Sequence, residues 1–383
     1  MKSNTAATFK SFLLMENKTT IIRPAVLVAV IYSAMIALVA VTKHYSLLDF
    51  VHIGTIWANH DPAGTAGYDG QFYYQLARNP LQAYQYMDNA SFREQHILYP
   101  LVVGALSLGQ TALIPAMLLL VNVVSVVLTV ELVGRLLVKY GFSPWFSLAI
   151  GLYFGQTAGT LFDTAEPFTY FLVCLGVWLV LEKAQYIPAA IVMGLATLSR
   201  EIALLFPLGY AGFFFLTRKW QACAQFLLFG VAPILAWLVC LRFLFGQSGL
   251  TFTQPFEHIP FAGIFAHYDG IAGIKKFALL ILLMFIPTLA GWVLLVIELV
   301  RRKFWHPMYF ILLANVTMIT LMNHHSYDEL ISCGRIATGL VLAVLLYGMI
   351  TRNKYVLWGA QFYTLTCVVF IAGTLLHFPS FIA

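Results

Sequence analysis

Charge is what this sequence has least of. Only 10% of its 383 residues are Asp, Glu, Lys or Arg, against about 25% in an ordinary soluble chain. With 61% hydrophobic residues and a mean hydropathy of +0.83, it carries more apolar surface than water tolerates, so it must use lipid as solvent. No CxxC pair occurs. The five cysteines (Cys174, Cys223, Cys240, Cys333, Cys367) are scattered, four of them inside apolar runs. That spacing excludes a disulfide framework or a zinc site as the organising feature. No glycine-rich nucleotide-binding loop, soluble domain or strong internal repeat is visible. The formal charge of +6 is spread unevenly along the chain and forms no nucleic-acid footprint. The opening stretch, "MKSNTAATFKSFLLMENKTTIIR", is polar and basic and lacks a cleavable signal pattern, so the first apolar run reads as an uncleaved anchor.

Apolar length is what the chain has in abundance. Crossing a hydrocarbon core takes about 20 residues of helix. Eleven runs approach that length, at roughly 24–42, 111–134, 143–161, 167–182, 186–199, 202–217, 220–246, 277–300, 304–322, 335–351 and 355–377. The expected fold is an all-α polytopic bundle of about 11 transmembrane helices, forming a single integral membrane domain over 1–383. The run 97–109 is too short and reads as a re-entrant or interfacial helix. With residues 1–23 as a cytoplasmic tail and alternating helices, 14 of the 22 basic residues fall at cytoplasmic ends, while 12 of the 16 acids face outward. Treating 97–109 as a crossing would reverse the later loops and destroy that bias. The long links, 43–110 and 247–276, then both lie outside, where a site can be built.

Four outward stretches hold residues with chemical potential. In "GYDGQFYYQLARNP", Asp69 lies between Gly67 and Gly70, close to Tyr68, Gln71, Tyr73 and Tyr74. The bland alternative is a turn acid beside an interfacial aromatic belt. "FDTAEPF" places Asp163 and Glu166 between two apolar runs, where helix capping would explain one acid more easily than two. "LSRE" puts Arg200 and Glu201 between two helices with almost no loop. An Arg–Glu pair reaching for the interface is the simple account, but an outward arginine breaks the charge bias and suits a phosphate. "NHHSYDELISCGR" brings His324, His325, Asp328 and Glu329 near Arg335. Its spacing fits no standard metal motif.

In this order, "YDGQFYYQLA", "HILYPLVVGALSLG", "AEPF" and "LSRE" resemble the GT-C superfamily of polyprenyl-phosphate-sugar-dependent membrane glycosyltransferases. The likeness is nearest to bacterial members of cell-surface glycopolymer formation and more distant to GPI mannosyltransferases. It is clearest over residues 60–205; the last third matches loosely through "CGRIATGLVLA". The resemblance implies a GT-C-like bundle and an inverting hexosyltransferase at the extracytoplasmic face of the plasma membrane. Asp69 would be its catalytic base, and Asp163 or Glu166 the second-loop acid that orients the acceptor or the base. Arg200 would lie near the donor phosphate. Glu201, Arg335, Asp328 and Tyr99 join the expected substrate and donor contacts, with Tyr68, Gln71, Tyr73 and Tyr74. So does His96, where relatives often carry a basic residue. The implied partners are a polyprenyl-phosphate-linked sugar, a glycan or lipid acceptor and membrane lipids. No cofactor is implied, and a divalent metal is compatible but not indicated.

The physics agrees with that expectation. A lipid-linked leaving group needs a greasy groove, a cation for the developing phosphate charge and a base near the attacking hydroxyl. The competing readings are a transporter or flippase of lipid-linked glycans and a non-catalytic assembly protein. A transporter would favour polar groups at mid-membrane and repeated halves. Cysteine labelling tests the orientation: Thr65→Cys should react from outside and Trp220→Cys only from inside. The reverse pattern, or both reacting from one side, would overturn it.

Overall fold

Leu, Val, Ile and Ala dominate the apolar runs, and without water every backbone N–H and C=O must be satisfied within the segment. Helix is the local solution. The computed structural model describes residues 23–249, 255–301 and 305–375, and every regular element among them is helical. The first half contains α1 (Pro24–Lys43), α2 (Gly70–Arg78), α3 (Leu98–Leu106), α4 (Thr111–Lys139), α5 (Phe154–Leu161), α6 (Glu166–Lys183) and α7 (Tyr186–Ser199). The second contains α8 (Glu201–Leu216), α9 (Trp220–Phe245), α10 (Gly273–Val300), α11 (Pro307–Leu321), α12 (Leu330–Ile350) and α13 (Lys354–Gly373). Prolines sit in the first turns of α1, α6 and α11, where their missing N–H costs no hydrogen bond.

Six helices, α1, α4, α9, α10, α12 and α13, are long and apolar enough to cross a membrane. The fold is that of an α-helical polytopic membrane protein. Within the described residues the eleven apolar runs all carry helix, but five fall short of a clear span. The 18-residue α6 holds Glu166, Glu182 and Lys183. Helices α7, α8 and α11 have 10–17 residues. The run 143–161 is interrupted where Tyr153 turns extended (φ −74°, ψ 136°) between Leu148–Gly151 and α5. α3 has nine residues, about 14 Å of helix at 1.5 Å per residue. Residues 1–22 of the expected tail 1–23, with Lys2, Lys10 and Lys18, lie outside the described residues, as do Arg302, Lys303 and positions 250–254 of the second long link. So do position 304 and positions 376–377 at the ends of two runs.

Two long helices share one device. In α9 a π-helical turn, Phe226–Val231, leads into Pro233; in α10 another, Ile281–Phe285, leads into Pro287. Proline removes an N–H and crowds the carbonyl four residues back, and the wider turn accommodates it. In α9 that carbonyl is Phe229, whose oxygen a Cβ at Gly194 of α7 would overlap. Glycine therefore lets the two helices meet.

Burial identifies the axis of the bundle. In α12, 89% of the apolar window is buried, against 28% in α1. α12 packs against α5 and α11, and α6 packs against α4 and α7. The N-terminal ends of α12 and α6 meet the start of α2, so the long link 43–110 folds onto the ends of the two helices. Gly70, the first residue of α2, makes this possible. A Cβ there would lie 2.5 Å from the Phe162 carbonyl oxygen and 2.9 Å from that of Val51. Gly70→Ala should lower thermal stability by about 1–3 kcal/mol, the usual cost of overpacking. Gly359→Ala, with no atom within 4 Å of the new Cβ, is the control. Equal thermal midpoints for the two variants in detergent would refute a tight seat for α2.

Candidate active site

Asp69 occupies the N-cap position of α2, yet its side chain makes no capping hydrogen bond. Its carboxylate turns instead to two guanidinium groups. Arg93 Nη1 donates to Oδ1 at 2.8 Å, and Arg335 Nη1 donates to Oδ2 at 2.8 Å. Arg93 is itself held by Asp88, with Nε to Oδ1 at 2.8 Å and Nη2 to Oδ2 at 2.6 Å. Its guanidinium lies 4.3 Å from the centre of the Phe72 ring. Arg335 enters from the first turns of α12 and is 1% exposed. Its Nη2 donates to Glu166 Oε1 at 2.9 Å, and Arg200 Nε lies 3.3 Å from the same oxygen. Glu166 begins α6, where the helix dipole also favours its negative charge.

Residues far apart in sequence thus meet in one cluster. The long link 43–110 supplies Asp69, Asp88 and Arg93; the 162–166 link supplies Glu166; the α7–α8 junction supplies Arg200; α12 supplies Arg335. Arg200 pairs with Glu166 rather than with its neighbour Glu201, which instead pairs with buried His96. The explanation is geometric: Arg200 is extended (φ −156°, ψ 124°), so successive side chains point apart.

Burial alone would raise the Asp69 carboxyl, but the charges of Arg93, Arg335 and Arg200 outweigh it and hold the group well below the usual carboxylate range. The stabilisation that Asp69 contributes is therefore complete above pH of about 4. It is lost only as pH falls towards the depressed folded value, so Asp69 stays ionised across pH 5–8.

The other expected contacts divide. Tyr68 belongs to the cluster: its hydroxyl oxygen accepts from Arg335 Nη1 at 3.0 Å. Gln71 has its side-chain amide engaged within the loop. Its Oε1 accepts from Gly54 N at 3.0 Å and its Nε2 donates to the Ala66 carbonyl at 2.8 Å, so both ends of the amide shape the loop. Tyr73 is buried against the Tyr99 and His96 rings, and Tyr74 packs on the apolar core. The buried Tyr99 hydroxyl donates to the Leu118 carbonyl at 3.1 Å. Asp328 accepts from His267 and from its near neighbour His325, while His324 pairs with Glu257, so the His267–Asp328 and His324–Glu257 pairs clip two link segments together.

Asp163 stands apart from the arginines. It is fully buried at a left-handed φ of 48°, and neither carboxylate oxygen has a hydrogen-bond partner among the described residues. Burial pushes this carboxyl well up, towards the neutral acid. Arg93 is the functional candidate that the sequence patterns passed over. Its signal was available: it is a cation in the long link 43–110, close after Asp88 in "DNASFREQ".

Beside the cluster lies a cavity of about 450 Å³, lined by Trp57, Tyr68, Asp69, Phe72, Glu329 and Ser332 among others. Among the described residues no group of three or more His, Cys, Asp or Glu side chains is placed to hold a metal ion. Comparison with protein-family models, with curated proteins and with solved structures finds no match for this chain.

Arg335 bridges two carboxylates that have little access to water. Removing one partner of such a buried set typically costs about 3–5 kcal/mol. Arg335→Gln should lower the thermal midpoint accordingly, and Arg335→Lys should fall between, keeping charge but not the planar fork. A wild-type midpoint in Arg335→Gln would show that the cluster does not tie these elements together.

Proposed function

We propose that this chain is a GT-C-type inverting glycosyltransferase of the plasma (inner) membrane. It moves a sugar from a polyprenyl-phosphate-linked donor to a glycan or lipid acceptor in cell-envelope glycopolymer formation. The N-terminus is cytoplasmic and the site extracytoplasmic. One observation carries the reading: Asp69 sits at a helix start without capping it, on the wall of a polar and aromatic cavity, with its carboxylate held by guanidinium groups. A turn acid would not require that arrangement.

The chemistry follows from the geometry. The acceptor hydroxyl oxygen attacks the anomeric carbon as the bond to the phosphate oxygen breaks, and the phosphate leaves with the electron pair. Asp69 takes the hydroxyl proton. Arginines stabilise charge developing on the leaving phosphate. In the cluster, Arg93, Arg200 and Arg335 are balanced by Asp69, Asp88 and Glu166, whose carboxylates stand where phosphate oxygens would bind. A donor phosphate must displace one of them. Between the two acids that share Arg335, Asp69 is the easier to release, at 23% side-chain exposure against 0% for Glu166. Once released from a guanidinium, its proton affinity rises towards the ordinary value and it becomes a stronger base. Donor binding thereby activates the base.

Transfer from a radiolabelled polyprenyl-phosphate sugar by the purified protein tests the reading. Asp69→Asn should fold and bind donor while transfer drops by about 10²–10⁴. Arg200→Ala should weaken donor use chiefly, and Arg200→Lys should keep part of it. Near wild-type transfer in folded Asp69→Asn would rule out the base role. A wild-type protein that binds lipid-linked sugars but transfers none would point to transport instead.

A further inference from the structure

Most polar groups around the cavity already have internal partners. Asp69 and Asp88 are held by Arg93, and Asp328 by His267 and His325. The face of Phe72 is covered by the Arg93 guanidinium, and Tyr68 lies 5.4 Å from that of Arg335. Two lining groups differ. Glu329 has no cationic partner among the described residues; its Oε2 accepts only from Ser332 Oγ, at 2.8 Å. Trp57 is half-buried against the small cluster of Phe72, Leu76, Ala83 and Met87, and its indole has no aromatic or cationic partner among the described residues.

Glu329 is nevertheless fixed in place. Ser332 Oγ spends its proton on Glu329, so the Tyr68 hydroxyl donates to Ser332 Oγ at 3.3 Å while accepting from Arg335 Nη1 at 3.0 Å. A directed relay runs from the Arg335 guanidinium through two hydroxyls to the Glu329 carboxylate, and the charges at its ends polarise it. The same guanidinium holds Asp69. Glu329 and Asp69 are therefore positioned by one group, and both line the same cavity.

We propose that this cavity binds the terminal sugar ring of a glycan acceptor, with Trp57 as its stacking face and Glu329 as the carboxylate that accepts from ring hydroxyls. This rests on the transferase reading and narrows its acceptor from a glycan or lipid to a glycan. The chemistry suits a polyol ring. A sugar offers an apolar face to an indole and several hydroxyl donors to a carboxylate with free lone pairs. Its volume of about 450 Å³ lies in the ~300–1,000 Å³ range of small-molecule sites. The cavity side of Asp69 belongs to the acceptor because that is where the base meets its proton. Of the three arginines only Arg93 lines it, with its guanidinium engaged by Asp69 and Asp88; Arg200 and Arg335 do not, which leaves the opposite side of Asp69 for the donor phosphate.

The test uses the full-length protein in an amine-oxide detergent, which carries no sugar. Saturation-transfer NMR with methyl glycopyranosides of glucose, galactose, mannose and N-acetylglucosamine should show binding of at least one. Glu329→Gln should weaken it by about tenfold, the usual scale for a hydrogen bond to a charged group. Trp57→Ala should weaken it at least as much, and Trp57→Phe should restore part. In the transfer assay Glu329→Gln should raise the acceptor KM and leave the donor KM unchanged. No saturation transfer from any glycoside, or undiminished binding in both Trp57→Ala and Glu329→Gln, overturns the proposal. A rise in donor KM alone overturns it by assigning the cavity to the donor's sugar. Binding that depends on Trp57 and Glu329 in a protein that transfers nothing supports the sugar ligand and refutes the transferase reading. Transfer with unchanged kinetics in both variants refutes the sugar cavity and spares the transferase.

Discussion

The Arg335 guanidinium, shared between Asp69 and Glu166, is the interaction on which the rest of this molecule depends. A cation at 1% exposure among apolar helices is tolerable only beside anions, and Glu166 at 0% exposure is tolerable only beside a cation. Each makes the others' position possible. Because Arg335 belongs to the most buried of the six long apolar helices, the pairing anchors the long link and the start of α6 to the bundle axis.

That constraint explains how neighbouring groups are used. Gly70 lacks a side chain because α2 must approach the Phe162 carbonyl for Asp69 to reach Arg335. Gln71, next in sequence, spends its amide on Gly54 and Ala66 and so braces the loop that presents Asp69. Tyr68 and Ser332 carry the same fixed charge outward to Glu329. Stability and proposed chemistry use the same atoms. A cluster that is neutral as it stands holds the fold together, and under the proposed mechanism an incoming phosphate redistributes its pairs.

Charges in the wrong company were the legible part of the site. Asp69, Glu166, Arg200 and Arg335 stand out because ionisable residues are scarce in this chain and costly at membrane depth. Arg93 was harder to distinguish: a polar link of nearly seventy residues makes one arginine look ordinary. Gln71, Tyr74 and Tyr99, expected as ligand contacts, have side chains engaged by the loop backbone or the apolar core. Residue type indicates that a side chain is able to hydrogen-bond or stack, but not whether a backbone carbonyl or a core ring is nearer. The fold behaved similarly. Apolar run length located helices, while the break at Tyr153 and the acids of α6 reduced the number that are long and apolar enough to cross.

By itself, the sequence determined that the chain is helical and lives in lipid, because composition and run length act residue by residue through solvation and backbone hydrogen bonding. It also determined where its few charges fall between helices. Only the tertiary structure decided which charges meet. Arg200 lies beside Glu201 in the chain but pairs with Glu166, Glu201 goes to His96, and Arg335 reaches back across 266 positions to Asp69. Electrostatic attraction falls with distance in space, not along the chain. Spatial distance is set by how α2, α6 and α12 pack, which no local pattern specifies.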